Sequence, residues 1–172
     1  MFHENTLRRL RATVRNSVVW GVAWGTLIHG LLEHAMRHKT ATRDDLRRLA
    51  MWLTVEEPTL RTVIDDALRT VEAVAQAQFW EVAKSSEHHV EVPFCISSTS
   101  AAAPPALTIG VVDLVHRVAD HWNVVDYKTD RSDPLPTVKY DAQLRTYRKM
   151  WQQMTGETVQ AQLVSTRVFP PR

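Results

Sequence analysis

Apolar residues recur at helical spacing through the first half of the chain and at strand spacing through most of the second. Residues 1–17 carry Leu7, Leu10 and Val14 among arginines. Between Trp20 and Met36, Leu27, Ile28, Leu31 and Leu32 repeat at i, i+1, i+4 and i+5, which gives one buried helical face. Thr42 is placed to cap a short helix from Arg43, with Asp44 and Asp45 in its first turn, where the helix dipole favours acids. Pro58 suits the first turn of a further helix running to about Ala75 through Leu60, Val63, Ile64, Ala67, Leu68 and Val71, with another helical piece through Phe79 and Trp80.

The period then shortens. Residues 88–97 alternate as a strand, with Pro93 suggesting an edge or a bulge. The small residues and prolines from Ser97 to Pro105 read as a loop. Leu107–Val118 and Trp122–Lys128 read as two strands joined by a tight turn at Ala119–His121, a hairpin. Residues 129–136 read as an exposed loop and 137–154 as an amphipathic helix, with Gly156 at its C-terminal cap. Val159–Val168 closes the chain as a strand. The order is helices followed by β–β–β–α–β, the pattern of one mixed α/β domain over residues 1–172. Its helical part would be residues 1–85, and its catalytic core residues 86–172.

Length and composition agree with one soluble domain: 172 residues, 44% hydrophobic and 23% charged. No apolar run reaches the ~20 residues that span a bilayer, and no signal-peptide layout is present, so a cytoplasmic protein without a membrane partner is expected. The single cysteine, Cys95, excludes an internal disulfide, a four-cysteine zinc site and a cysteine-ligated iron–sulfur cluster. A net charge of +2 does not by itself mark a nucleic-acid binder.

The chemistry concentrates in the hairpin. Asp126 and Lys128 lie two apart on an apolar strand and so face the same way. Taken alone they fit a surface salt bridge as well as a functional pair. A second isolated carboxylate, Asp113, sits in the neighbouring strand, and a turn centred on residues 119–120 pairs it with Asp126. Two carboxylates converging at ~5 Å repel unless a cation lies between them. An oxygen-rich site of that kind suits Mg²⁺, with Mn²⁺ as a substitute.

Gly110-Val111-Val112-Asp113, then Val124-Val125-Asp126-Tyr127-Lys128-Thr129-Asp130, then Gln143-Leu144-Arg145-Thr146-Tyr147 resemble the PD-(D/E)XK nuclease superfamily. More narrowly they resemble the nuclease domain of AddA- and RecB-type recombination helicase–nucleases. Trp24 to Glu33 is similar to that family's histidine-bearing helix, and Glu91-Val92-Pro93-Phe94 to the strand before the catalytic hairpin. The matches are collinear from about Trp24 to the C-terminus.

The resemblance implies a restriction-endonuclease-like core, with a mixed central β-sheet flanked by helices. It implies metal ligation by His29, Asp113, Asp126 and the backbone carbonyl of Tyr127, with Lys128 at the attacking water and the scissile phosphate. Gln143 and Tyr147, one helical turn apart, would steady that lysine or contact DNA. A histidine on an apolar helix otherwise reads as a satisfied core residue. Glu33 reads as solvated or as a neighbour of the metal, the role of Glu91 stays open, and His88, His89, His116 and His121 read as surface residues. The Arg43–Arg48 group reads as a solvated helix face.

The implied activity is Mg²⁺-dependent hydrolysis of DNA, exonucleolytic rather than endonucleolytic. It would leave a 5′-phosphate and a 3′-hydroxyl on single strands or duplex ends, without an iron–sulfur cluster, in DNA repair and recombination. The phosphate loop of a helicase is absent, so a helicase would be a separate subunit or domain. The alternative is a non-catalytic DNA-binding or complex-assembly module that kept the fold.

Overall fold

Leu27, Ile28, Leu31 and Leu32 are fully buried, as their spacing predicts, on helix α1 (residues 21–37). The computed structural model describes residues 21–100, 103–129 and 137–166. Trp20, the arginine-rich segment over residues 1–17 and most of the 129–136 loop therefore lie outside the described residues. Helix α2 (Arg43–Leu53) begins as expected. The Thr42 side chain accepts from the Asp45 N–H while the Asp45 carboxylate accepts from the Thr42 N–H, a reciprocal capping box. Pro58 opens a 3₁₀ turn, Pro58–Val63, before α3 (Ile64–Ala75), so the expected single helix is two pieces. Helix α4 spans Gln78–Ser85.

Four strands follow in the sheet order β1-β2-β3-β4: β1 (His88–Ser100), β2 (Ala103–Val118), β3 (His121–Lys128) and β4 (Val159–Ser165). The first three form an antiparallel meander, and β4 joins β3 in parallel after the crossover helix α5 (Thr137–Thr155). Pro93 is accommodated because β1 is an edge strand. The loop expected over Ser97–Pro105 is a correction. Backbone pairing continues through Ser98↔Ala106 to Ser100↔Ala103, extending both strands through small residues that give no alternating pattern to read. The tight turn is also shorter than expected, residues 119–120, with Ala119 at φ 49°, and His121 already pairs with Val118. Strand β4 ends at Ser165 rather than Val168; residues 167–172 lie outside the described residues.

The sheet is covered on both faces. Helices α1 to α4 share one core with Leu114, Val125 and Tyr127. Helix α5 contributes Tyr147, Met150 and Trp151 to the other, with Phe94, Val112, Val115, Trp122 and Val124. Trp122 and Val124 against Val125 and Tyr127 show the alternation of β3, so Asp126 and Lys128 face α5. Among the described residues no helix is long and apolar enough to cross a membrane.

Candidate metal centre and its lysine

The hairpin register is the one the turn dictates, with Val118↔His121 through Leu114↔Val125. The ladder stops there, and Asp113 and Asp126 are the next residues beyond the last rung. In place of another rung, the Tyr127 N–H donates to Asp113 Oδ2 at 2.7 Å. The side chain of one acid thus satisfies backbone that the ladder leaves unpaired. The other carboxylate oxygen, Asp113 Oδ1, lies 3.3 Å from His29 Nδ1. The buried apolar face of α1 fixes that helix, and His29 stands at the edge of that face beside the Tyr127 ring, 6.0 Å away and edge-on.

Glu91 completes the group. One donor atom each from His29, Glu91 and Asp113 lies within 4.8 Å of the others. Strand β1 pairs in constant register on either side, Val90↔Leu114 and Val92↔Val112, yet Glu91 itself takes φ 51°. A non-glycine residue in the left-handed region costs about 1–3 kcal/mol and is held there by its surroundings. Glu33, one turn after His29, instead pairs with Arg37 Nε at 2.8 Å, and Arg37 donates to the Val90 carbonyl at 3.1 Å. That chain of contacts ties α1 to β1 next to Glu91.

Asp126 and Lys128 form the second part. Lys128 Nζ is 2.7 Å from Asp126 Oδ2, donates to Gln143 Oε1 at 2.9 Å and lies 4.5 Å from the centre of the Tyr140 ring. The Gln143 amide donates in turn to the Tyr147 hydroxyl at 2.6 Å, which leaves its carbonyl turned to the ammonium. The Phe94 ring stands against Tyr147 at 5.5 Å. Sequence reasoning passed over Tyr140. Its spacing of three before Gln143 and seven before Tyr147 puts it on the same helical face, a signal that was there to read.

The electrostatics describe a site crowded with negative charge. Burial pushes the Glu91 carboxyl above its usual range, and Asp113 and Glu33 push it further. Burial also raises Asp126, with the Lys128 pair pulling it down and Asp113 pushing it up. For His29, burial opposes protonation, but the hydrogen bond to and charge of Asp113, with Glu91 and Asp126 behind it, raise its pKa. Burial raises the Tyr147 hydroxyl, so it stays protonated.

Carboxylate oxygens and an imidazole gathered under net negative charge are a donor set that fits a divalent cation. Of the residues expected to ligate, His29 and Asp113 stand together, whereas Asp126, paired to Lys128, is outside the group whose donor atoms lie within 4.8 Å of one another, and the buried Tyr127 ring lies edge-on to His29. Glu91 joins the group from β1, as the Glu-Val-Pro-Phe segment hinted.

His116 is not a surface residue. It is 1% exposed on a strand flanked by β1 and β3, and its Nε2 meets Asn123 Nδ2 at 3.0 Å. The other three stay near the surface, with His89 exposed and His88 and His121 half-buried. The Arg43–Arg48 face is exposed as expected, and its arginines pair with Asp65, Glu72 and Asp45.

A family model for the PD-(D/E)XK nuclease superfamily matches residues 2–170. An ATP-dependent helicase/nuclease subunit from Bacillus velezensis is 25% identical over 158 residues, covering 78% of this chain and 13% of the relative. Its namesake from Alkaliphilus oremlandii is 21% identical over 154 residues, 78% of this chain and 12% of the relative. The chain thus spans about an eighth of the length of these relatives. Among solved structures, protein VC1899 from Vibrio cholerae aligns with 91% of this chain and 44% of its own, at 15% identity and a TM-score of 0.32, too loose a superposition to build on.

Proposed function

The chain belongs to the PD-(D/E)XK nuclease superfamily, and on that premise we propose that it hydrolyses the phosphodiester bonds of DNA with a divalent cation, Mg²⁺ by preference. The observation that carries the proposal is the adjacency of two groups. One is the His29–Glu91–Asp113 cluster, and the other is the Lys128 ammonium held by Asp126 and Gln143. His29, Glu91, Asp113 and Asp126 would hold the ion, with the Tyr127 carbonyl as a further oxygen. When bound, the cation supplies Lewis-acid stabilisation of charge on the phosphate.

The remaining work belongs to the chain's own groups. Lys128 donates to a phosphate oxygen and offsets the charge that develops there. Gln143 fixes the lysine from one side and is itself fixed by Tyr147, so the ammonium is oriented before substrate arrives. The Asp113 carboxylate is immobilised by the Tyr127 N–H, which keeps its free oxygen aimed at His29.

The relatives carry both helicase and nuclease in their names and are many times longer than this chain. A helicase partner, as a further domain or a separate polypeptide, is therefore part of the same proposal. So are single strands or duplex ends as substrate, exonucleolytic attack and a setting in repair and recombination. Purified protein is expected to degrade end-labelled single- and double-stranded DNA with Mg²⁺ and not with EDTA. Lys128→Ala should lower the rate by about 100-fold or more while leaving the circular dichroism spectrum unchanged. Binding without cleavage in Mg²⁺ and in Mn²⁺ would instead establish a non-catalytic module. A circular substrate cut as fast as a linear one would remove the exonucleolytic part.

A further inference from the structure

The three members of the acid cluster are held in place by different means. His29 and Asp113 face each other at 3.3 Å, and Asp113 also accepts from the Tyr127 N–H. The Glu91 carboxylate has no hydrogen bond or ion pair among the described residues, so its position depends on its backbone. That backbone takes φ 51°, a conformation that side-chain-bearing residues rarely adopt and that the surroundings must support. Strand β2 supports it through the flanking pairs Val90↔Leu114 and Val92↔Val112. A second support comes from the helical layer. The guanidinium of Arg37, the last residue of α1, donates from Nη2 to the Val90 carbonyl at 3.1 Å. The Val90 carbonyl and the Glu91 N–H belong to one rigid peptide plane. A grip on that oxygen therefore fixes the plane from which the Glu91 side chain is directed into the cluster.

We propose that Arg37 is the positioning residue for Glu91: its guanidinium, aimed by Glu33, clamps the Val90–Glu91 peptide and so holds the Glu91 carboxylate in the cluster for a divalent cation. The role rests on the cation site proposed above and adds to it a residue outside the donor set. Glu33 Oε1, one helical turn earlier, accepts from Arg37 Nε at 2.8 Å, which leaves the far arm of the same planar fork for Val90. As a solvent-exposed pair, Glu33 and Arg37 add little to stability, so what they contribute is aim. Arg37 and Glu91 are also within electrostatic reach. Burial, Asp113 and Glu33 raise the Glu91 pKa, and His29 and Arg37 oppose them. Charge and position make opposite predictions for the cation. By charge alone, Arg37 repels an ion at the cluster, so its removal would tighten binding. By position, its removal releases Glu91 and weakens binding.

The test is titration of purified protein with MnCl₂ in the absence of DNA, with free Mn²⁺ read by electron paramagnetic resonance. Arg37→Gln is expected to lower Mn²⁺ affinity by about tenfold or more, the scale for residues that orient metal ligands. Its melting temperature should stay within roughly 2 °C of the parent, since the position is exposed. Glu91→Gln should lower affinity too, and adding Arg37→Gln to it should change affinity by no more than about twofold. Parent-like or tighter binding in Arg37→Gln would overturn the proposal, as would a further loss of the full size in the double variant. Arg37→Met, which keeps the aliphatic stem, takes the place of the glutamine variant if that one does not fold. Asp113→Asn tells the site from its support. Loss of Mn²⁺ binding there, with Arg37→Gln unaffected, removes only the role of Arg37. Undiminished binding there removes the cation site, and the role of Arg37 with it.

Discussion

The Lys128 ammonium has three N–H bonds and three neighbours: Asp126, Gln143 and the face of Tyr140. A partly desolvated cation–π contact contributes about 0.5–2 kcal/mol, which corresponds to a rate factor of roughly 2 to 30. Tyr140→Leu is therefore expected to lower kcat by that factor at unchanged KM, and Tyr140→Phe to stay within about twofold of the parent. Equal losses in both variants would remove the ring from the lysine's support. His116 bears on stability instead. Burial holds its pKa below the ordinary 6.5, so the fold prefers the neutral ring. Stability from this residue is intact above pH 6.5 and is lost as the pH falls below that value toward the folded pKa. Glu91 and Asp126, raised by burial, act in the opposite sense at lower pH. The comparison is therefore with His116→Gln, whose melting temperature should fall less than the parent's between pH 7.5 and 5.5, roughly one unit either side of the free histidine value. Asp113, Asp126 and Lys128 were legible in the sequence because each is an isolated charge on an apolar strand. Glu91 was legible only as a candidate of open role, since its place in the cluster depends on a left-handed backbone that no residue pattern announces. His116 was misread because alternation along one strand does not say what lies on the strands to either side.

Elements with strong local punctuation were read nearly to the residue. The Thr42 capping box and Gly156, at φ 73° after α5, are examples. The arm of the β1–β2 hairpin was not, because serines and alanines pair through backbone alone and carry no hydrophobic alternation. What holds that arm to the site is a close approach at Gly110. A Cβ there would lie 2.6 Å from Phe94 Cζ, and Phe94 in turn packs on Tyr147, the residue that orients Gln143. Gly110→Ala is expected to destabilise the fold by about 1–3 kcal/mol through overpacking, read from denaturant unfolding. It should also reduce kcat, although residue 110 touches neither the acids nor the lysine. A Gly110→Ala protein with parent stability and rate would show that Phe94 can move without disturbing α5.

Across the whole molecule, the site lies where two layers meet: α1 brings His29 from the helical layer, and α5 brings Gln143 and Tyr147 from the other face of the sheet. An ion gripped across that seam, as proposed, would link binding to global stability. With Mg²⁺ at ten times its dissociation constant, the folded state should gain about 1.4 kcal/mol, seen as a rise in melting temperature in the parent and absent in Asp113→Asn. No rise in the parent at concentrations that support cleavage would separate the ion from the fold. The parallel pairing of β4 with β3 also has a kinetic side. The meander β1-β2-β3 needs only short chain closures, whereas β4 can dock on β3 only after α5 has crossed over, and α1 must reach Asp113 from much further along the chain. Lys128 lies on the rung with Ser165, and its carbonyl accepts from the Thr166 N–H. The hairpin with its acids is thus expected to form early, and the partners that make it competent to arrive with the last long-range closures. On the activity proposed above, a nascent or half-folded chain would carry its acids and its lysine without the groups that arm them, and so would spare the nucleic acid around it.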